Sequence, residues 1–138
     1  MKLIINNKIF TDNTNDLEKD NIFVVSKQNE KFKDIAIKGG FELLNSSELK
    51  NYLDMSSIKI IGITGTNGKT TIASTIYKIL LKLGFKVALQ GTRGFFINEF
   101  CVEDYSLTTP VQLGNFINIQ KAIQNSCQFF IMEVSSHA

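Results

Sequence analysis

Residues 62–71 read Gly-Ile-Thr-Gly-Thr-Asn-Gly-Lys-Thr-Thr, and this stretch decides the fold that we expect for the chain. It follows the apolar run 58–63 and precedes a helical pattern, so it lies where a strand passes into a helix. Glycines let backbone N–H groups approach an anion closely, and the positive end of the following helix points at the same anion. The stretch therefore predicts a loop that binds the phosphates of a nucleoside triphosphate.

The spacing of this loop is a variant of the standard phosphate-binding loop. The standard pattern places four residues between its first glycine and the Gly-Lys pair, which would put a glycine where this chain has Ile63. In our interpretation Lys69 reaches the terminal phosphates, and the Thr70 hydroxyl ligates Mg²⁺. The alternative is a glycine-rich turn without a ligand, which gives no packing reason for an exposed Lys-Thr-Thr sequence.

The chain after residue 57 alternates predicted strands and helices. Strands are predicted at 58–63, which we expect to be buried, at 86–89 and at 128–134, with a possible hairpin at 95–102. A helix is predicted from Lys69 to Leu83, where Gly84 ends it, and a second helix follows Pro110. The spacing of five residues predicts the apolar face of the helix that begins at Lys69: Ile72, Ile76, Ile79, Leu80 and Leu83. This alternation indicates a parallel sheet covered on both faces.

The chain before residue 57 forms a separate segment. Strands are predicted at 2–5, 22–25 and 41–44, a helix at 32–38 and a loop at 11–20. A short helix through Tyr52 is predicted, with Ser46 or Ser47 as its cap. We divide the chain into domains 1–56 and 57–138. The expected fold class is α/β: a small N-terminal α/β domain followed by the front part of a P-loop-type parallel-sheet ATPase domain.

Composition excludes several functional classes. The 138 residues carry a net charge of only +2, and no basic patch with interleaved aromatic residues suggests a nucleic-acid partner. No apolar run is long enough to span a bilayer, and the N-terminal run is too short for a signal peptide. Cys101 and Cys127 lack metal-ligand spacing, and His137 is the single histidine. We expect a cytoplasmic monomer without nucleic-acid or membrane partners.

Two further strings stand where ligands bind in nucleotide-binding sheets, beyond the carboxyl ends of strands. They are Leu-Thr-Thr-Pro at 107–110 and Met-Glu-Val-Ser-Ser-His-Ala at 132–138. Glu133 interrupts an apolar strand, where an unpartnered charge is costly, so it suits a Mg²⁺ ligand opposite Thr70; the alternative is a solvent-facing position. Together with residues 62–71 and Gly91-Thr92, these strings resemble the Mur ligases, most closely the MurE type.

The resemblance implies an ATP-dependent acid–amino-acid ligase of peptidoglycan precursor synthesis. Such an enzyme joins the third amino acid, diaminopimelate more often than lysine, to UDP-MurNAc-L-Ala-D-Glu through an acyl phosphate. The implied cofactors are ATP and Mg²⁺, and the implied substrates are the UDP-MurNAc-dipeptide and a diamino acid. Domain 1–56 would recognise the uridine nucleotide, although Asp12-Asn13-Thr14 replaces the Asp-Ser-Arg string usual in this family. We expect the chain to be the front part of a longer protein and inactive alone.

The resemblance also assigns individual residues. Lys69 would neutralise charge on the transferred phosphate as the catalytic residue, and Thr70 and Glu133 would bind Mg²⁺. The ATP loop would comprise Gly65, Thr66, Asn67, Gly68, Lys69, Thr70 and Thr71. Thr108, Thr109 and Ser135 would contact the substrate, with helix capping or local backbone hydrogen bonds as the alternatives. Two other functions remain open: a ligase similar to folylpolyglutamate synthase, and a non-catalytic nucleotide-binding module.

Overall fold

The computed structural model describes residues 1–104 and 112–135. The chain divides into two compact units. The first contains Met1–Asp54 and Pro110–Ile117, and the second contains Met55–Thr109 and Asn118–Ala138. Among the described residues, no helix is both long and apolar enough to cross a membrane.

The first unit contains a four-stranded sheet in the order β1-β2-β3-β4. Its strands are β1 (Lys2–Ile5), β2 (Lys8–Thr11), β3 (Ile22–Val25) and β4 (Glu42–Asn45). The β1–β2 pair is an antiparallel hairpin, whereas β2, β3 and β4 pair in parallel. Asn6 and Asn7 form the hairpin turn with φ values of 49° and 64°, as a two-residue turn of this hand requires. A short helix, α1 (Lys33–Lys38), precedes β4.

Most elements of the first unit agree with the sequence prediction. The strands expected at 2–5 and 22–25 have those bounds, and the strand expected at 41–44 starts one residue later. β2 was not predicted, because its four residues run directly into the polar segment that we interpreted as a loop.

The short helix expected at 46–52 is a 3-10 helix over Ser46–Asn51, and the prediction of a serine cap was wrong. Asn45 caps the helix, accepting a hydrogen bond from the Ser47 N–H at 3.1 Å. The Glu48 side chain accepts a hydrogen bond from the Asn45 N–H at 3.0 Å. The two hydrogen bonds together form a capping box. The Ser46 hydroxyl instead donates to Gln112 Oε1 at 2.6 Å.

The second unit contains a five-stranded sheet in the order β5-β9-β6-β7-β8. Its strands are β5 (Lys59–Ile63), β6 (Val87–Gly91), β7 (Gly94–Ile97), β8 (Phe100–Glu103) and β9 (Phe129–Glu133). β5, β9 and β6 pair in parallel, as the alternating pattern predicts. β7 and β8 add an antiparallel hairpin at 94–103, so the expected hairpin is confirmed and the sheet is mixed rather than wholly parallel.

Helix α2 (Lys69–Lys82) packs on one face of this sheet. Ala73 is fully buried against Val87, Leu89 and Ile131, and partly buried side chains extend this stripe: Ile76, Tyr77, Leu80 and Leu81. The spacing of this stripe is the one expected for a helix that buries one face. The helix ends before Gly84, whose φ of +87° suits the predicted stop.

The predicted apolar face of α2 was only partly right. Ile76 and Leu80 contact the core, but Ile72, Ile79 and Leu83 are 51%, 52% and 68% exposed. Two apolar stripes are possible on this helix, and the position of the sheet selects the one that contains Ala73. The exposed residues lie outside that stripe.

The prediction that the strand at 58–63 is buried was also wrong for most of its length. Lys59 and Ile60 of β5 are exposed, and Ile60 keeps 41% of its accessible surface. Among the described residues, β5 pairs only with β9 and therefore lies at the edge of the sheet. An edge strand has a neighbouring strand on one side only, so fewer side chains cover its residues.

Side chains on the opposite face of β6 meet helix α3 (Gln112–Gln124). Because side chains alternate along a strand, Gln90 points away from the face that carries Val87 and Leu89. The Asn118 amide of α3 donates to Gln90 Oε1 at 2.8 Å, and both side chains are buried. The parallel part of the sheet thus contacts a helix on each face.

Candidate phosphate and metal site

The predicted phosphate loop lies between the end of β5 and the start of α2. Gly65 and Gly68 adopt φ values of +145° and +81°, a backbone conformation that residues with a Cβ rarely adopt. Gly68 is the N-cap of α2, so the first N–H groups of the helix, which lack partners within it, point towards the loop. Thr66 and Asn67 are exposed, which leaves the loop open to a ligand.

Lys69 is half-buried and lies over this loop rather than in the core. Its ammonium group donates a hydrogen bond to the Gly65 carbonyl oxygen at 2.6 Å. The positive charge of the side chain and the positive end of α2 therefore act on the same small volume, and both favour an anion.

Glu133, the last residue of β9, faces the loop. Its Oε2 atom accepts a hydrogen bond from the Thr70 hydroxyl at 3.0 Å and another from the Thr92 hydroxyl at 2.9 Å. Its Oε1 atom accepts a longer hydrogen bond from the Thr92 backbone N–H at 3.4 Å. The carboxylate is therefore held between the first turn of α2 and the residue that follows β6.

Gly91 makes this arrangement possible. A Cβ atom at this position would lie 2.2 Å from Glu133 Oε1 and 2.9 Å from Glu133 Cδ. The carboxylate thus occupies the space that any other residue at position 91 would fill. The absent side chain, rather than an unusual φ angle, is what the site requires at Gly91.

The donor atoms at this site suit Mg²⁺. This ion prefers oxygen ligands, and it is usually bound by one or two carboxylates together with phosphate oxygens and water. Glu133 is only 9% exposed and forms no ion pair with a lysine or arginine in the described part of the chain. Residues 1–104 and 112–135 contain no cluster of three or more metal-ligating His, Cys, Asp or Glu side chains. Thr70 and Glu133 would hold the ion with help from the nucleotide.

The other predicted site residues are brought together only in part. Thr71 belongs to the first turn of α2, and Ser135 is exposed just beyond β9. Thr108, Thr109 and His137 lie outside the described residues. Thr92 received no role from the sequence, although a hydroxyl residue directly after a parallel strand is a signal that could have identified it.

A separate cavity lies in the first unit, with a volume of about 180 Å³. The residues with polar side chains that line it include Asp12, Ser26, Asn29 and Ser46. Asn29 shapes this cavity: its Oδ1 atom accepts from the Ser26 N–H at 2.7 Å, and its amide donates to the Val24 and Asp12 carbonyl oxygens at 2.9 Å and 3.1 Å.

Comparison with known proteins identifies the family. The model of the Mur ligase middle domain matches residues 63–138, which include the loop and Glu133. The chain belongs to the Mur ligase family. The resemblance inferred from the sequence motifs is therefore confirmed.

Two proteins similar to this Mur ligase chain carry the name UDP-N-acetylmuramoyl-L-alanyl-D-glutamate–2,6-diaminopimelate ligase. The Helicobacter pylori protein is 48% identical over 131 residues, which cover 93% of this chain and 29% of that protein. The Helicobacter hepaticus protein is 51% identical over 121 residues, which cover 85% of this chain and 26% of that protein. The chain thus spans less than a third of the length of these relatives.

A solved structure with the same name supports the fold class of this Mur ligase chain. It superposes with a TM-score of 0.65 at 26% identity, covering 93% of this chain and 32% of that structure. The expected α/β class, with a small first unit and a second unit built on parallel strands, is confirmed.

Proposed function

We propose that this chain belongs to an ATP-dependent ligase that joins meso-diaminopimelate to UDP-MurNAc-L-Ala-D-Glu during peptidoglycan precursor synthesis. The observation that carries the proposal is the position of the Glu133 carboxylate, 3.0 Å from the Thr70 hydroxyl at the head of a helix that follows a glycine-rich loop. The names of the relatives support the choice of substrates.

In this proposal the described residues would bind the nucleotide and the metal. Loop residues 65–68 and the first turn of α2 would bind the phosphates of ATP, and Lys69 would neutralise charge on the transferred phosphate. Mg²⁺ would add positive charge at the phosphate oxygens. Phosphoryl transfer depends mainly on such positioning and charge neutralisation. In the proposed reaction, ATP phosphorylates the D-glutamyl carboxylate, and the amine of the diamino acid then displaces phosphate to form the amide.

The cavity of the first unit is a candidate for the uridine nucleotide. Its amide, hydroxyl and carboxylate groups match the hydrogen-bonding edges of a base and a ribose.

Asn13 belongs to the string that differs from the family pattern. It caps a 3-10 helix, because its side chain accepts a hydrogen bond from the Asn15 N–H at 3.0 Å. The role of domain 1–56 and the substrate contacts of Thr108, Thr109 and Ser135 stay proposals, as do the cytoplasmic location and the monomeric state.

The first experiment separates this ligase from one similar to folylpolyglutamate synthase. Calorimetric titration of the 138-residue chain with UDP-MurNAc-L-Ala-D-Glu should give saturable heats, and titration with folate should give none. Binding of folate alone would contradict the proposed substrate class. We expect the chain by itself to bind ATP without converting it to ADP, since the proposed reaction belongs to a protein of the relatives' length.

The second experiment tests Lys69. In the full-length enzyme, Lys69→Ala should abolish ligation and leave binding of the UDP-linked precursor unchanged, because the removed charge acts on ATP. Lys82→Ala, at the last residue of the same helix, is the matched control and should behave as wild type. Product formation by Lys69→Ala at the wild-type rate would refute the role of Lys69.

A further inference from the structure

We infer that Thr92 is a positioning residue of this site: it holds the Glu133 carboxylate where that group, together with Thr70, can take a divalent cation. The inference rests on the proposed function and deepens it, because it adds a residue on a third element of the second unit to the loop and to β9. Thr92 follows β6, the strand that pairs with β9.

Thr92 contacts both oxygens of the carboxylate. Its hydroxyl donates to Oε2 at 2.9 Å, and its backbone N–H donates to Oε1 at 3.4 Å. Thr70 makes a single contact, to Oε2 at 3.0 Å. Two donors on one residue restrain both the position and the tilt of a carboxylate, whereas one donor restrains its position only.

A hydroxyl has one proton and two lone pairs, so Thr70 can donate to Glu133 and still offer a lone pair to a cation. Its single hydrogen bond restrains only one oxygen of the carboxylate. Within the described residues, no lysine or arginine pairs with this carboxylate. Thr92 is therefore the residue whose donors reach both oxygens of the carboxylate over Gly91.

Packing does not explain the contact. Thr92 is exposed, so its methyl group has no core to fill, whereas the Glu133 side chain is 9% exposed. An exposed hydroxyl that donates to a nearly buried carboxylate fits the partners that orient metal ligands, and loss of such a partner usually lowers metal affinity about 10- to 100-fold.

The test compares Thr92→Val, which keeps the shape and removes the hydroxyl, with Thr92→Ser, which keeps the hydroxyl. In the 138-residue chain, binding of Mn²⁺ in the presence of ADP is measured from the free-ion electron paramagnetic resonance signal. Calorimetry gives the ADP affinity with and without Mg²⁺. We expect Thr92→Val to bind Mn²⁺ about 10-fold more weakly, Thr92→Ser to resemble wild type, and both variants to bind metal-free ADP normally.

Three outcomes would overturn the inference. If Thr92→Val binds Mn²⁺ as tightly as wild type, Thr92 does not position Glu133, and the proposed function is unaffected. Equal weakening of ADP binding with and without Mg²⁺ shows that Thr92 only supports the loop. Nucleotide binding by the wild-type chain that does not depend on Mg²⁺ overturns the proposed function and this inference together.

Discussion

Replacement of Gly91 by alanine tests whether the position of the Glu133 carboxylate is needed for function rather than for folding. The new Cβ would lie 2.2 Å from Glu133 Oε1, 2.9 Å from Cδ and 3.2 Å from Cγ. The backbone of Gly91 is not in the left-handed region, so alanine itself causes no strain there. The atoms that must move belong to the end of a flexible side chain.

The size of the effect follows from these distances. Ordinary contacts of a Cβ begin near 3.4 Å, so the carboxylate must move by about 1 Å or more. Such a shift breaks the hydrogen bonds from Thr70 and Thr92, at 3.0 Å and 2.9 Å. Each of these hydrogen bonds contributes about 1 kcal/mol net to stability. Hydration of the displaced carboxylate offsets part of their loss. We therefore expect the free energy of unfolding to fall by about 1–2 kcal/mol. Metal affinity should fall about 10- to 100-fold.

Two measurements on the 138-residue chain separate these effects. Urea denaturation reports the free energy of unfolding, and Mn²⁺ titration in the presence of ADP reports the site. Gly94→Ala is the matched control, because its Cβ would also lie 2.2 Å from an oxygen, here the backbone carbonyl of Glu103, at a φ of +132°. The backbone cannot yield as a side chain can, so this variant should lose about 2 kcal/mol or more of stability.

The reasoning would be refuted if Gly91→Ala bound Mn²⁺ as tightly as wild type, because the carboxylate would then not need its present position. It would also be refuted if Gly91→Ala were destabilised as strongly as Gly94→Ala, since Gly91 would then serve the fold.

Three further predictions concern other parts of the chain. Asn29→Ala should lower the free energy of unfolding in urea by about 2–4 kcal/mol, because the buried Val24 carbonyl oxygen and the partly buried Ser26 N–H both lose this partner; a loss below about 1 kcal/mol would contradict this. Gln90→Met and Asn118→Leu should show a coupling energy in a double-mutant cycle, because either substitution removes the 2.8 Å hydrogen bond between these two buried side chains; strictly additive losses of stability would count against the pair. A thiol reagent at neutral pH should modify the exposed Cys101 quickly and Cys127 only on unfolding, as mass spectrometry can show, because Cys127 is buried and its burial raises the pKa of its thiol; equal rates would disprove it.

Local sequence was sufficient for much of the fold. The strand–loop–helix order around residues 62–71, the stop at Gly84 and the strands at 22–25 and 128–134 follow from spacing, glycine conformation and apolar runs. Glu133 was identifiable because a carboxylate in an apolar strand needs a partner. These features depend on residues a few positions apart, whose conformations are set by backbone sterics and helix caps.

Other features depended on the order of the strands in the sheet. β9 lies between β5 and β6, although it follows both in the chain, and this order brings Glu133 to Thr70 and Thr92, which are 63 and 41 residues away in sequence. The same order leaves β5 at an edge among the described residues, which is why our prediction of a buried strand was wrong. Periodicity identifies a helix, but the sheet decides which of its apolar stripes is covered.

The amino-acid sequence by itself determined which side chains could bind phosphate and metal, because those abilities reside in the residues and in the turn that holds them. Only the tertiary structure decided that Thr92 contacts the Glu133 carboxylate and that Gly91 leaves room for it. Pairing between distant strands sets distances of about 3 Å between hydroxyl and carboxylate oxygens, and no local pattern contains that information.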